Sequence, residues 1–455
     1  MTIVLLACAI THVGIHVASA DTIEGAMVRA YQNNPQLNAQ RASVRATDEA
    51  VPQALSGYRP RVAATASAGY QYSDTNTVGF GNPVEHGPSV PRSIGGTVTQ
   101  TVFNGQQTAN RTRAAEAQVF GAREGLRVIE QTVLLSAATI YMDYLRDSAV
   151  VEVQRSNVNV LEKMLQQTRD RFSTGEVTRT DLAQAEAQLA AGRTQQLTAD
   201  SNLVTTRANF RRIIGNDPER LAPGAPVDRF LPQRLADAVG IGALNNPNVT
   251  AAMFGIDVSH LQVKVNEGAL LPTVTVQAAV QQSYEQTLAV YRTFNASATA
   301  QISVPVYQGG AEYALIRQSK ETLAQQRIVL DQVRDQVRAS VVTAWGQLAA
   351  GKAQVTSAKA QVAASEIALN GVRDEAREGQ RTTLDVLNAQ QALVNARLAL
   401  VNAQHDRVVA SYAMLNAIGR LAPQVLNLDT TVYDPSVHYH QVRDSVFGVR
   451  VPGGI

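Results

Sequence analysis

The sequence contains a single cysteine, Cys8, among its 455 residues. One cysteine can form neither a disulfide within the chain nor a thiolate metal site, so neither can stabilise this fold. Aromatic residues make up only 5% of the chain, and the net charge is close to zero at +2. This charge argues against a nucleic-acid partner, because such partners are bound through clustered lysines and arginines. The composition favours long helices over one large globular core.

Long apolar runs are also absent, because no stretch of 18 apolar residues occurs, and no transmembrane helix is expected. A shorter apolar run at residues 3–10 precedes a small-residue cleavage motif at residues 18–20. This pattern predicts a signal peptide over residues 1–20 and an exported mature chain that begins at Asp21. No Lys or Arg precedes the apolar run, which a start codon further upstream would explain. The residues around Cys8 resemble a lipoprotein box, but too few residues precede it to favour lipidation.

Proline is missing from two long stretches, between Pro91 and Pro218 and between Pro305 and Pro423. In both, apolar residues recur every seven positions among polar and small residues, which is typical of a coiled-coil seam. Each stretch predicts a helix of some 67 residues, or roughly 100 Å, which must pack against partners along its length. In the first stretch the seam shifts by four residues after its fourth member, which predicts local unwinding. The seam residues are Val119, Leu126, Val133, Ile140, Val151, Val158, Leu165 and Phe172, then Leu323, Leu330, Val337, Val341, Leu348, Val355, Val362 and Leu369.

The chain also repeats its own pattern. An Asn-Asn-Pro motif at residues 33–35 recurs at residues 245–247, and Gly175 recurs as Gly379. These anchors predict a tandem duplication of one unit with a short helix, a β-hairpin, a long helix, a turn and a return helix. The predicted boundaries are 1–20 for the signal peptide, 21–214 for repeat 1 (hairpin 61–103, long helix 106–172, return helix 180–214), 215–234 for an equatorial linker, 235–418 for repeat 2 (hairpin 273–307, long helix 310–377, return helix 384–418) and 419–455 for an irregular equatorial tail.

The hairpin strands have two different faces. In residues 62–73 the even positions are apolar or aromatic and the odd positions are mostly small or polar, and the second hairpin alternates similarly. The apolar faces suit lipid and the polar faces suit water. Four strands are too few to close a barrel, and an open sheet edge cannot lie in lipid. The pattern therefore favours an α+β membrane protein in which long helices form an α-barrel and three chains share a twelve-stranded β-barrel. A soluble sheet packed on helices is the alternative.

Several of these motifs resemble the TolC family of outer-membrane efflux and type I secretion channels. The similarity rests on VPVYQGG at residues 304–310, on the paired Asn-Asn-Pro motifs, and on RFSTG at residues 171–175 before Asp181. It covers nearly the whole mature chain and is strongest to the BepC branch. It implies a homotrimer in the outer membrane of a Gram-negative cell, in contact with lipid, with its helical part in the periplasm. It also implies docking to a periplasmic adaptor protein and an inner-membrane transporter of the RND or ABC type.

The same resemblance implies a gate at a periplasmic tip, formed by the turns at Gly175 and Gly379. The gate arginine of the family corresponds to Arg381, and its partners correspond to Thr180 and Asp181. Each glycine also has an ordinary explanation as a helix C-cap.

Two departures from the family pattern predict a simpler or weaker gate. The gate tyrosine of the family corresponds to Ala376, so its contact is missing. The two acidic rings of the family correspond to Asp385 and Asn388, so only Asp385 remains as a constriction ring. An acid at this position can also simply stabilise the first turn of its helix.

Taken together, these patterns predict a passive exit duct for toxic small molecules or polypeptides, driven by the inner-membrane partner. The sequence contains no convincing nucleotide-binding glycine loop and no catalytic Ser/His/Asp set, so no enzyme activity, cofactor or metal is expected. His438 and His440 are suited to a metal by type, but a solvated tail is the simpler interpretation. The alternatives are a soluble periplasmic coiled-coil adaptor or scaffold and an exported enzyme on a helical scaffold.

Overall fold

The computed structural model describes residues 21–76, 84–288 and 290–452, so the predicted signal peptide lies outside the described residues. The chain divides into two compact units, each built from three separate segments. Unit 1 consists of Met1–Leu37, Glu130–Gly242 and Ala339–Val432, and unit 2 consists of Asn38–Ile129, Ala243–Arg338 and Tyr433–Ile455.

Two helices of 67 residues each contribute segments to both units, α4 (Gln107–Ser173) and α8 (Ala311–Arg377). Their bounds lie within one residue of those predicted from the proline-free stretches. Backbone turns with positive φ precede both helices, at Gly105 with 64° and at Gly310 with 88°. Across the described residues, none of the helices combines the length and the apolar character needed to cross a membrane.

The predicted seams lie on the packed sides of these helices. Val341 is fully buried, and Val119 and Leu369 are 1% and 3% exposed. Phe172 departs from the pattern at 41% exposure, because it lies in the last turn of α4, where the helix ends. The other buried seam residues are Leu126, Val133, Ile140, Val151, Val158, Leu165, Leu323, Leu330, Val337 and Leu348.

The single short helix predicted at the start of repeat 1 is instead three helices, α1 (Ile23–Asn33), α2 (Pro35–Asp48) and α3 (Ala50–Leu55). The first break falls at Asn34 because Pro35 disfavours the helical conformation of the residue before it. The second break precedes Pro52, whose ring would clash with the carbonyl group of residue 48 in a continuous helix.

The repeated Asn-Asn-Pro motif is a helix break that also starts the next helix. Asn34 has a ψ of 123°, and its Oδ1 accepts the backbone N–H of Gln36 at 2.9 Å. Asn246 has a ψ of 124°, and its Oδ1 accepts the N–H of Asn248 at 3.0 Å. Both asparagines thereby satisfy a free N–H group at a helix start. The second motif separates α6 (Leu235–Asn245) from α7 (Pro247–Gly268).

Unit 1 buries its largest side chains where α1 packs against the return helix α5 (Arg179–Ile214). Tyr31, Phe210 and Tyr412 are at most 1% exposed, and Tyr412 belongs to the second return helix, α9 (Thr383–Ala417). The hydroxyl group of Tyr141, also in unit 1, lies 2.7 Å from the carbonyl oxygen of Asp21 and 2.6 Å from that of Ala222. A buried tyrosine needs such a partner for its polar end.

Unit 2 contains a four-stranded antiparallel sheet with the order β1-β4-β5-β6. Its strands are β1 (Arg61–Ala68), β4 (Arg92–Asn104), β5 (Thr273–Thr287) and β6 (Val290–Ser303). The strand of about twelve residues predicted from residue 62 ends early, at Ala68. A second pair of strands, β2 (Gln71–Asn76) and β3 (Val84–Ser89), follows within the predicted hairpin.

The strand register aligns the alternating patterns of all four strands. One row across the sheet contains Val62, Val98, Ala278 and Ala298, and the adjacent row contains Arg61, Thr99, Gln277 and Thr299. Successive side chains of a strand point to opposite faces, so one face is apolar and the other polar. Val62 and Ile302 are 76% and 68% exposed, so no described part of the chain covers the apolar face. This exposure contradicts the alternative of a sheet packed on helices of the same chain.

The C-terminal tail is more ordered than predicted. It contains a helix, α10 (Ser436–Val442), and His438 on this helix is buried rather than solvated. Its Nδ1 lies 3.0 Å from Oδ2 of the fully buried Asp48. Burial raises the pKa of Asp48, and the hydrogen bond from His438 opposes that shift. The described residues contain no cluster of three or more His, Cys, Asp or Glu side chains that could hold a metal ion.

Candidate functional site

The two helical turns of unit 1 share one backbone geometry. Gly175 has a φ of 80° and Gly379 a φ of 78°, a left-handed conformation that glycine adopts without a steric penalty. In the first turn the N–H of Glu176 bonds to the carbonyl oxygen of Arg171 at 2.9 Å. In the second turn Gln380 bonds to Glu375 at the same distance. These are the bonds of a Schellman motif, so both glycines end their helices as the C-cap explanation predicts.

Both return helices then begin with the same capping box. Oγ1 of Thr178 accepts the N–H of Asp181 at 3.2 Å, and Oδ2 of Asp181 accepts the N–H of Thr178 at 2.9 Å. The corresponding bonds between Thr382 and Asp385 are 3.2 and 3.0 Å. The two threonines were missed in the sequence, although a threonine three residues before an acid is the known signature of this motif.

The capping bonds keep both carboxylates charged. The hydroxyl and N–H groups of Thr178 lower the pKa of Asp181 below its usual range. The N–H group of Thr382, and then its hydroxyl group, lower the pKa of Asp385, with a smaller contribution from Arg381. Asp385 is therefore part of a helix cap and also an ionised group at neutral pH.

The predicted gate arginine pairs across its own turn. Nε of Arg381 lies 2.8 Å from Oε2 of Glu375, and this ion pair raises the pKa of the guanidinium group. Within the described part of one chain, no contact joins Arg381 to Asp181 or Thr180. Thr180 is exposed on α5. The structure thus places the predicted gate residues on two separate turns. Glu375, the partner of Arg381 within the chain, was not predicted from the sequence.

The predicted constriction residue lies in the first turn of α9. Asp385 and Asn388 are three residues apart on this helix, so they lie on one side of it. Asn388 is exposed and Asp385 is half-buried.

A buried network of side-chain hydrogen bonds joins the two helical hairpins of unit 1, which are α4–α5 and α8–α9. Nη2 of Arg373 on α8 donates to Oε1 of Gln390 on α9 at 3.0 Å, and Nε2 of Gln390 donates to Oδ1 of Asn157 on α4 at 3.2 Å. Gln390 and Asn157 are only 5% and 2% exposed. The sequence contained no local signal for this hydrogen-bond network, because its residues are far apart in the sequence.

Comparison with known proteins shows where this architecture recurs. The family model for outer membrane efflux proteins matches residues 26–216 and 242–420. The outer membrane efflux protein BepC of Brucella suis is 39% identical over 446 residues, which cover 96% of this chain and 94% of BepC. The outer membrane protein TolC of Escherichia coli is 24% identical over 428 residues, which cover 90% of this chain and 84% of TolC.

Solved structures share the fold. The CmeC outer membrane channel of Campylobacter jejuni matches with a TM-score of 0.78 at 14% identity, over 93% of this chain and 89% of that one. The outer membrane protein VceC of Vibrio cholerae matches with a TM-score of 0.73 at 18% identity, over 87% and 96%. The chain therefore belongs to the outer membrane efflux protein family, and it is an exit duct of the outer membrane with its helical part in the periplasm.

Proposed function

We propose that three copies of this chain assemble into the duct and that each copy contributes its four strands to one closed barrel. The observation that carries this proposal is the open four-stranded sheet with an exposed apolar face. Among the described residues, β1 and β6 each pair along one side only. Unpaired backbone groups cannot remain in lipid, so the two edges need partners from other copies. Three copies supply twelve strands, which is within the range of known outer-membrane barrels.

The duct performs no chemistry in this proposal, and an inner-membrane transporter supplies the energy through a periplasmic adaptor. Support comes from the relatives, because one is named an efflux protein and another, AprF of Pseudomonas aeruginosa, an alkaline protease secretion protein. AprF is 24% identical over 66% of this chain, whereas BepC is 39% identical over 96%. Efflux of toxic small molecules is therefore the favoured cargo class, and export of a polypeptide is the second.

Deletion of the gene tests the cargo class. We expect the deletion strain to become sensitive to several toxic amphiphilic compounds while its set of secreted proteins stays unchanged. Growth in a panel of toxic compounds measures the sensitivity, and mass spectrometry of the culture medium measures the secreted proteins. The complemented strain is the control. Loss of one secreted polypeptide without any gain in sensitivity would instead favour the secretion role.

The gate in this proposal lies at the two turns of unit 1. Arg381 pairs with Glu375 within its own chain and lies near Asp385, whose pKa it lowers. The other turn carries Asp181 and Thr180, which do not contact Arg381 within the described part of one chain. In this proposal Arg381 therefore contacts these residues of a neighbouring copy. Such a contact would join copies and hold the narrow end of the duct closed.

Replacing Arg381 by alanine should increase the single-channel conductance severalfold in planar bilayers, because it removes the charge that joins the copies. Asp181→Ala should act in the same direction, whereas Glu375→Gln should not raise the conductance, since it leaves Arg381 free to pair with another chain. Arg397→Ala is a matched control. Arg397 forms a similarly exposed ion pair with Glu366, with an N–O distance of 2.8 Å, and this pair does not lie in the turn. Equal conductance in Arg381→Ala, Asp181→Ala and the unmodified protein would exclude this gate.

A further inference from the structure

A cleft in unit 1 lies between α4 and the turn that joins α8 to α9. Its volume is about 410 Å³. Four of its lining residues are basic, namely Lys163, Arg171, Arg373 and Arg377, and no carboxylate lines it. The gate model above uses none of these four side chains.

The positive charge of the cleft is only partly neutralised. Arg171 pairs with Glu176 at 3.1 Å, and Arg377 pairs with Asp374 at 2.9 Å. The side chains of both ion pairs are about half exposed or more. Ion pairs this exposed are weak, and both acids lie outside the lining of the cleft.

The other two cations have no acidic partner among the described residues. Arg373 bonds to the neutral amide oxygen of Gln390, and Lys163 forms no ion pair or hydrogen bond with any described residue. The cleft therefore keeps at least two uncompensated positive charges.

One of these cations, the guanidinium group of Arg373, is oriented by buried polar side chains. The hydrogen bond from Arg373 goes to Gln390, which is buried and is itself bonded to the buried Asn157. This chain of neutral groups orients the guanidinium group without cancelling its charge. A cation that is already oriented loses less side-chain entropy when it binds an anion.

One part of the remaining lining is apolar, with Val160 and Met164 on α4 and Ala376 and Val386 on the opposite side. The other part is polar but uncharged and consists of Gln167, Thr168 and Thr383. The small side chain of Ala376 leaves the cleft open at this position. Ligand sites with a few placed charges on an apolar wall bind molecules that have both a polar and an apolar part.

We propose that this cleft binds a small anionic amphiphile, such as a carboxylate or sulfonate attached to a compact apolar body. Arg373 and Lys163 hold the anionic group, and the apolar body lies against Met164, Val386 and Ala376. The bound molecule contacts α4 and the α8–α9 turn together, so it stabilises the packing of the two hairpins within one chain. This ligand site goes beyond the proposed duct and does not depend on conduction.

Calorimetric titration of the purified full chain in a non-ionic maltoside detergent tests the site, with naphthalene-1-sulfonate as the probe. We expect one saturable site per chain with an affinity that falls as the ionic strength rises. Naphthalene-1-sulfonamide has the same ring without the charge, and inorganic sulfate has the charge without the ring. Both should bind at least tenfold more weakly.

Three variants locate the site. Arg373→Gln and Lys163→Gln should each weaken binding of the sulfonate about tenfold, and Ala376→Trp should prevent it by filling the cleft. Arg397→Gln, an exposed arginine outside the cleft, should bind as the unmodified protein does. Bound sulfonate should also slow amide hydrogen exchange in residues 160–171 and 373–386.

Several outcomes overturn the proposal. Equal binding of the sulfonamide shows that the charges have no role, and equal binding of sulfate shows that the apolar wall has none. Unchanged sulfonate binding in Ala376→Trp, a variant that keeps all four basic residues, places the site elsewhere on the protein. These results are separate from the duct proposal, which the conductance and cross-linking experiments test.

Discussion

Replacing Asp385 by asparagine should strongly weaken block of the channel by a trivalent cation such as La³⁺ added on the periplasmic side. In the proposed trimer this residue occurs three times around one axis at the narrow end of the duct. Carboxylates placed close together repel one another, and a multivalent cation relieves that repulsion through its oxygen ligands. Since the capping bonds from Thr382 lower the pKa of Asp385, the ring is charged at neutral pH.

The capping box decides how this experiment must be designed. Asp385→Ala removes both the charge and the carboxylate's half of the capping box, so a change in block would have two explanations. Asparagine keeps a side-chain oxygen that can accept the N–H of Thr382 while it removes the charge. The half-blocking concentration of La³⁺ should therefore rise at least about tenfold in Asp385→Asn.

Two further variants complete the test. Glu366→Gln removes a carboxylate that pairs with Arg397 and has no part in the proposed gate, so block by La³⁺ should persist there. Asn388→Asp should strengthen the block, because it adds a second carboxylate on the same side of α9. If La³⁺ blocks Asp385→Asn and the unmodified channel at the same concentration, Asp385 is only a helix cap and does not line the constriction.

Cysteines placed in the two edge strands should link separate copies of the chain into dimers and trimers. In the proposed barrel, β1 of one copy pairs with β6 of another, because these are the two edge strands of the sheet. Thr65 in β1 and Thr299 in β6 lie on the polar face, so a disulfide between them would not disturb the lipid-facing side. Cysteines at Asn295 and Ser297 in β6 are tested as further partners of Thr65, because β1 and β6 of neighbouring copies could pair in several registers.

The predicted mature chain, from Asp21 onward, contains no native cysteine, so the introduced pairs need no further substitution. After oxidation, a non-reducing denaturing gel should show bands of two and three chains that disappear with a reductant. A pair at Thr97 and Ala279 is the matched control, because these residues are direct partners in adjacent strands of one chain and should form only an internal disulfide. Monomer bands alone for every edge pair, together with a monodisperse monomer by light scattering, would contradict the barrel.

The regular features of this chain were predictable from its sequence because each arises from local chemistry. The seven-residue period of Val119, Val341 and Leu369 predicted which sides of α4 and α8 are buried. Gly175 and Gly379 predicted the two turns, because a left-handed C-cap is a local backbone requirement that glycine meets best. The alternation in the strands predicted two faces, which the observed register brings together across the sheet.

The remaining features depend on residues that are far apart in the sequence or on the path of a turn. Arg381 bonds to Glu375 because the Gly379 turn reverses the chain between them, and no periodic pattern encodes that path. His438 lies against Asp48, although 390 positions separate them, and only packing of the tail on α2 brings them together.

The sequence by itself determined the two long helices, their buried sides, the turns and the two-faced strands, since local propensity and periodicity suffice for each. Only the tertiary structure decided the ion-pair partner of Arg381, the burial of His438 and the basic cleft beside Ala376. The physical reason is that the free energy of an ion pair or a ligand site depends on distance and burial between distant segments. Neither quantity exists until those segments have packed.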